Sequence, residues 1–166
     1  MNLYILRHGL AVERTPGVKF DKDRPLTVEG RKKIRRLAVI LRKLGLSFDL
    51  ILSSPFLRAR QTAEIVAEVL DLSNKLEFST HLAPRQAPNE LVEELNRKGH
   101  ALDDILLVGH EPDLSRLISI LVTGKPGLAL ELKKGGLVKL EIGTLRYGRC
   151  ATLQWLLPPK VYSAGR

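Results

Sequence analysis

Residues 3–9 read LYILRHG: four apolar residues, then an arginine, a histidine and a glycine without a break. The apolar run 3–6 predicts a short buried strand that Gly9 ends. A cation and an imidazole at its carboxyl end have two readings, a solvated strand terminus or groups aimed at an anion. The trimer alone does not choose between them.

The same pattern recurs. Leu50, Ile51 and Leu52 predict a second short strand, followed by Ser53, Ser54 and Pro55, and residues 105–108 predict another before Gly109 and His110. Helical periodicity fills the intervals. Thr27 is an N-cap for a helix through Leu44 with Ile34, Leu37, Ala38, Leu41 and Leu44 on one face, and Gly45 stops it. A second helix is expected over about 55–70 with Pro55 in its first turn. A weak strand follows at 76–78, then a helix capped by Asn89, and Pro112 opens a helix carrying Leu114, Leu117, Ile118, Leu121 and Val122. Residues 124–136 read as a connector, 137–142 and 151–157 as two late strands. Continuous apolar strands alternating with helices predict an α/β three-layer sandwich, a mostly parallel central sheet with helices on both faces. Residues 1–158 form one expected domain, and 159–166 a C-terminal tail.

Composition narrows the function. The 166 residues are 44% hydrophobic and 27% charged, which suits a chain with its own core. Cys150 is the single cysteine, so no intramolecular disulfide can form. His8, His81, His100 and His110 show no metal-binding spacing, and no metal site is expected. No apolar run reaches membrane-spanning length and no secretory leader pattern is present, so the expected setting is cytoplasmic, with no membrane partner. The net charge of +9 raises the question of nucleic acid, but aromatics are 5% of residues and none is interleaved with the basic clusters, so no nucleic-acid partner is expected. A positive surface also draws phosphorylated substrates.

If the three strong strands are parallel, their polar ends share one sheet edge, where open α/β sheets bind ligands. Those ends carry Arg7, His8, Arg58 and His110. Two guanidinium forks suit phosphate oxygens. A neutral histidine beside them can attack phosphorus, splitting a hard transfer into two easier ones.

Leu6-Arg7-His8-Gly9, the run Ser54-Pro55-Phe56-Leu57-Arg58-Ala59-Arg60-Gln61-Thr62-Ala63 and Val108-Gly109-His110-Glu111-Pro112 resemble the histidine phosphatase (phosphoglycerate mutase-like) superfamily. Within it the pattern is similar to the small SixA-like phosphohistidine phosphatases, a likeness that Arg24-Pro25-Leu26-Thr27, Gly30 and Lys133-Lys134-Gly135-Gly136 extend. The resemblance implies the fold already argued, His8 as the phosphorylated nucleophile, Arg7 and Arg58 as phosphoryl-binding residues and His110 as a hydrogen-bonding imidazole. It implies no metal or organic cofactor. Its expected substrate is phosphohistidine on a protein. The alternative is a phosphatase or mutase acting on small phosphorylated metabolites.

Two departures stand out. Leu10 follows the Arg-His-Gly trimer where relatives often carry an acidic residue or Gln. No carboxylate lies in residues 79–84, where larger members of the superfamily place a general acid. Glu90 is the one weak candidate for that role, because Glu90, Glu93 and Glu94 are spaced as an exposed helix face.

Overall fold

The computed structural model describes residues 1–14, 16–99 and 102–163. His100, expected to be a surface or satisfied histidine, and residues 164–166 of the expected tail lie outside them. Six strands form one sheet: β1 (Asn2–Arg7), β2 (Leu50–Ser53), β3 (Leu76–Phe78), β4 (Asp104–Gly109), β5 (Leu137–Ile142) and β6 (Ala151–Leu157). Their order is β3-β2-β4-β1-β5-β6. The first four are parallel, β5 pairs antiparallel with β1, and β6 pairs antiparallel with β5 at the edge. This is the expected α/β architecture.

Both sheet faces are covered, which is why the strands read as continuous apolar runs. Side chains alternate across a strand. Leu3, Ile5, Ile105 and Leu107 therefore pack with α3 (Pro88–Arg97) and α4 (Asp113–Thr123), through Leu91, Leu95, Leu114 and Leu117. Tyr4, Leu6, Leu106 and Val108 pack on the other face with α1 (Val28–Lys43) and α2 (Leu57–Val69), through Ile34, Leu37, Ala63 and Val66. Each fully buried Leu or Ile contributes about 1.5–3 kcal/mol. Among the described residues no helix is long and apolar enough to cross a membrane.

Local chemistry sets the element ends. Thr27 Oγ1 accepts from the Gly30 amide at 2.9 Å, the expected N-cap of α1. A Cβ at Gly30 would collide with the Leu10 carbonyl oxygen, so glycine there lets α1 sit against the loop that follows His8. Helix α2 starts at Leu57 rather than Pro55, because the Phe56 amide turns back to Ser54 Oγ at 3.2 Å before the helix begins. Pro88, not Asn89, opens α3, where its missing N–H removes no intrahelical bond. Lys43 ends α1, which leaves Leu44 off the packed face and exposed.

The expected tail is corrected in part. Residues Pro159–Ser163 form a short helix, α5, whose Tyr162 is buried against the α1 and α2 face. Its hydroxyl donates to the Gly135 carbonyl at 2.8 Å. The Gly135 amide in turn donates to the Arg7 and His8 carbonyls at 3.0 and 3.1 Å. Gly135 has φ +83°, a left-handed turn that glycine takes without steric cost. The chain's last helix thus braces the end of its first strand.

Tyr162→Phe removes the donor and leaves the Gly135 carbonyl buried and unpaired. The expected loss is about 1–3 kcal/mol, or a Tm lower by about 2–10 °C. An unchanged Tm by calorimetry would show that this contact does not brace the fold.

Candidate active site

The parallel register places the three polar strand ends side by side. Arg7 pairs with Gly109 across β1 and β4, and Ser53 with Val108 across β2 and β4. The next backbone bonds continue the ladder past the strands: His8 N–H donates to Gly109 O at 3.1 Å and Ser54 N–H to Val108 O at 2.9 Å. The four residues expected at this edge, Arg7, His8, Arg58 and His110, line one cleft of about 430 Å³. His8, Arg58 and His110 are buried, and the two imidazole centroids lie 5.2 Å apart.

Hydrogen bonds fix the His8 tautomer. His8 Nδ1 lies 2.7 Å from the Gly9 carbonyl oxygen, which can only accept, so Nδ1 carries the proton. Arg58 Nε–H donates to His8 Nε2 at 3.2 Å, so Nε2 keeps its lone pair. Burial, then the charges of Arg58, Arg7 and Lys134, push the His8 pKa down to about 3, outweighing the Gly9 bond that favours the cation. His8 is therefore a neutral imidazole at physiological pH, with its free nitrogen against a guanidinium.

His110 is neutral for the same reasons, its pKa pushed down to about 3 by burial, then by His8 and Arg58. Its Nε2 lies 2.8 Å from Ser54 Oγ, and that oxygen already accepts from the Phe56 amide. With the Ser54 hydroxyl donating to Nε2, the His110 proton sits on Nδ1. Nδ1 is buried and finds no partner among the described residues, and the same is true of Arg7 Nε. Such orphaned donors are rare in folded proteins and mark a place for a ligand or water.

Other contacts hold the arginines. Arg7 donates to Leu132 O at 2.9 Å. Arg58 donates to Asp21 O at 2.8 Å and to the Asp21 carboxylate at 3.0 Å. Thr62 donates to Arg58 O at 2.7 Å and accepts from Gly9 N–H at 3.1 Å, tying α2 to the loop after His8. Burial lowers both guanidinium pKa values, yet arginine remains cationic at neutral pH.

A family model, the histidine phosphatase superfamily (branch 1), matches residues 3–83. Phosphohistidine phosphatase SixA of Escherichia coli is 31% identical over 128 residues, 75% of this chain and 76% of that protein. The chain belongs to the histidine phosphatase superfamily. An uncharacterized protein of Picosynechococcus sp. is 39% identical over 167 residues, covering 95% of this chain and all of that protein. The solved structure of the protein histidine phosphatase SixA complexed with tungstate superposes with a TM-score of 0.82 at 27% identity, over 96% of this chain and 97% of that one.

This histidine phosphatase also brings residues to the cleft that the motif reading did not assign: Asp21, Arg24, Arg85, Glu111, Asp113 and Lys134. Asp21 comes from the loop after β1, whose path periodicity does not encode. Arg24 and Lys134 sit in stretches that carried the family likeness, and Glu111 follows His110 directly. Each carboxylate here is engaged. Asp21 binds Arg24 and Arg58 at 3.0 Å. Asp113 accepts from the Arg85 amide at 2.7 Å, and Glu111 caps the first turn of α4 through Ser115. Burial alone would raise the Asp21 carboxyl, but Arg24 and Arg58 outweigh it and hold it below its ordinary range.

Glu90 is exposed, does not line this cleft and faces His81 at 3.7 Å. Glu93 is exposed as expected, but Glu94 is not on an open face. It accepts from Ser79 Oγ and lies 2.9 Å from His81 Nδ1, fixing the turn before α3. His81 is thus a satisfied histidine.

Nitrogen NMR tests the site's protonation. At pH 6, His8 should give an N–H signal at Nδ1 and a bare-nitrogen signal at Nε2, with no titration near the ordinary value of about 6.5. The unfolded chain protonates these histidines first as pH falls, so stability declines from about pH 6.5 toward 3 and levels below. A His8 titration near 6.5 would contradict the burial.

Proposed function

We propose that this superfamily phosphatase hydrolyses phosphohistidine on proteins through a phosphoryl intermediate on His8, with no metal in the reaction. The observation that carries the reading is a neutral His8 whose Nε2 lone pair meets Arg58, with Arg7 Nε and His110 Nδ1 buried and unpartnered beside it. An arriving phosphoryl group supplies what each lacks. Its oxygens accept from Arg58, Arg7 and His110, which frees the Nε2 lone pair to attack phosphorus. The bond from phosphorus to the substrate imidazole breaks as the His8–phosphorus bond forms. Water then displaces phosphate from His8 and restores the free enzyme. That the related SixA structure holds tungstate, an oxyanion, fits such a pocket.

The carboxylates support the substrate class. A positioned proton donor is worth about 10²–10⁴-fold in expelling an alkoxide. Asp21, Asp113 and Glu111 are each committed to another contact, and Glu90 lies outside the cleft. Imidazole leaves as a neutral molecule once its ring is protonated, and its near-neutral pKa lets solvent supply that proton. Phosphohistidine and activated aryl phosphates therefore suit the site better than alkyl phosphates.

Three measurements test this. Acid-labile, alkali-stable label from phosphorylated substrate should appear on the peptide holding His8, and His8→Ala should abolish label and turnover, both unaffected by EDTA in the wild type. Arg7→Ala and Arg58→Ala should each lower kcat/KM by about ten- to a hundredfold and weaken vanadate inhibition. The order of kcat/KM should be phosphoimidazole, then aryl phosphate, then alkyl phosphate. Full activity in His8→Ala, or efficient alkyl phosphate hydrolysis that collapses in Glu90→Gln, would overturn the mechanism.

A further inference from the structure

The phosphoryl cleft does not end at its rim. A second basin of about 390 Å³ shares Asp21 and Arg85 with it and adds Arg14, Phe20, Lys22 and Phe56. The basin's one carboxylate, Asp21, is committed to Arg24 and Arg58. Arg14, Lys22 and Arg85 form no ion pair among the described residues. Three cations without a carboxylate partner among the described residues thus line the basin beside the reacting centre, Lys22 with its ammonium 5.8 Å from the Phe20 ring centroid.

Arg85 sits at the junction of the two spaces, and its backbone is unusual. Its φ is +67°, the left-handed region that a residue with a Cβ rarely adopts. Asp113 Oδ2 receives its N–H at 2.7 Å and holds the turn there. A backbone kept in a disfavoured region at the mouth of a site points to a use for the residue it carries. The Arg85 side chain is exposed and lines both spaces, which leaves its guanidinium open to a ligand.

We propose that this basin is a docking surface for acidic side chains that flank the phosphohistidine of a protein substrate. The proposal rests on the function argued above and adds what selects the partner. Charge complementarity names the acidic flank. The shape names a protein rather than a metabolite. Arg14, Lys22 and Arg85 are exposed and Phe20 is 52% exposed, so the basin is open along its length. A small ligand is held where 70–90% of its surface is buried, which an open basin does not provide. A macromolecular surface covers such a basin from outside, laying carboxylates on the cations and an apolar contact on Phe20.

The experiment compares phosphohistidine peptides flanked by glutamates, by glutamines or by lysines, with phosphoimidazole as the small probe. The wild type should favour the glutamate peptide over the lysine peptide by at least tenfold in kcat/KM, mainly through KM, and salt should erase the preference. The double variant Arg14→Glu/Lys22→Glu should lose at least tenfold more kcat/KM on the glutamate peptide than on phosphoimidazole. Lys32→Glu, a charge reversal on the exposed side of α1, should retain the preference. Equal losses on peptide and phosphoimidazole, or no peptide preference in the wild type, would overturn the docking surface while leaving the catalytic reading intact. A carboxylated aryl phosphate gaining as much over its neutral analogue as the glutamate peptide does over the glutamine peptide would make the basin a metabolite subsite instead. A wild type inert to peptides and phosphoimidazole alike would overturn the catalytic reading and this proposal with it.

Discussion

Everything at the site depends on β1, β2 and β4 ending level, and their apolar residues do not by themselves enforce that. Both faces of these strands are buried, so a one-residue slip of β4 would exchange Ile105 and Leu107 for Leu106 and Val108 and still bury apolar surface. Polar groups at the amino ends remove the ambiguity. Asn2 Nδ2 donates to Asp104 Oδ1 at 3.0 Å, while Asp49 Oδ2 accepts from the Asp103 and Asp104 amides at 2.9 and 3.0 Å. Those amides, Asp104 first, hold the Asp49 carboxyl below its ordinary pKa. A slip would break all three bonds, each worth about 0.5–1.5 kcal/mol at this partly exposed strand end. The clamp at one end of β4 thereby sets which residues meet at the other.

What meets there is electrostatically unfavourable without a ligand. Two guanidinium groups and two imidazoles share a largely buried space, where isolated charge is costly. The chain lowers that cost in two ways. The histidines give up their charge, which is the least expensive response available to a buried imidazole. The arginines keep theirs and are met by oxygen from distant segments: Leu132 for Arg7, Asp21 for Arg58. Each is a fixed partner that orients the fork and leaves other donors unfilled. An incoming dianion then completes a charge pattern already assembled, so little reorganisation is left to the moment of reaction.

The legible parts of the molecule were those with local rules. Continuous apolar runs and period-3.6 apolar spacing, the Thr27 cap and the Gly9 and Gly45 stops located the strands and α1, and parallel order followed from the alternation of strand and helix. The site was legible because its four central residues sit at strand ends or in the first turn after one, so topology alone brings them together. Asp21 was not legible: it reaches Arg58 from a loop with no periodic signal, and its role exists only in three dimensions. Tyr162 was hidden for a related reason. A five-residue segment has too few turns to show a face, and its partner, Gly135, lies in a connector with no periodic signal. Ser54 stands in plain view within a motif, but its contact with His110 Nε2 exists only once β2 and β4 lie side by side.

The carboxylates at this edge show why holding cations and donating protons compete. A general acid working near neutral pH needs a carboxyl raised by desolvation and kept away from positive charge. Asp21 is partly desolvated, yet two guanidinium groups reverse the effect, and withdrawing them would release Arg58 from its one carboxylate partner among the described residues. Glu111 could turn toward the cleft only by abandoning the amide and hydroxyl of Ser115 that it caps. Asp113 is fixed by the strained Arg85 turn. In each case the contact that makes the carboxylate useful to the architecture is the contact that keeps it ionised or occupied. On the function proposed above, a cleft built this way suits holding a dianion better than protonating a leaving group, so the leaving group must bring its own readiness to depart.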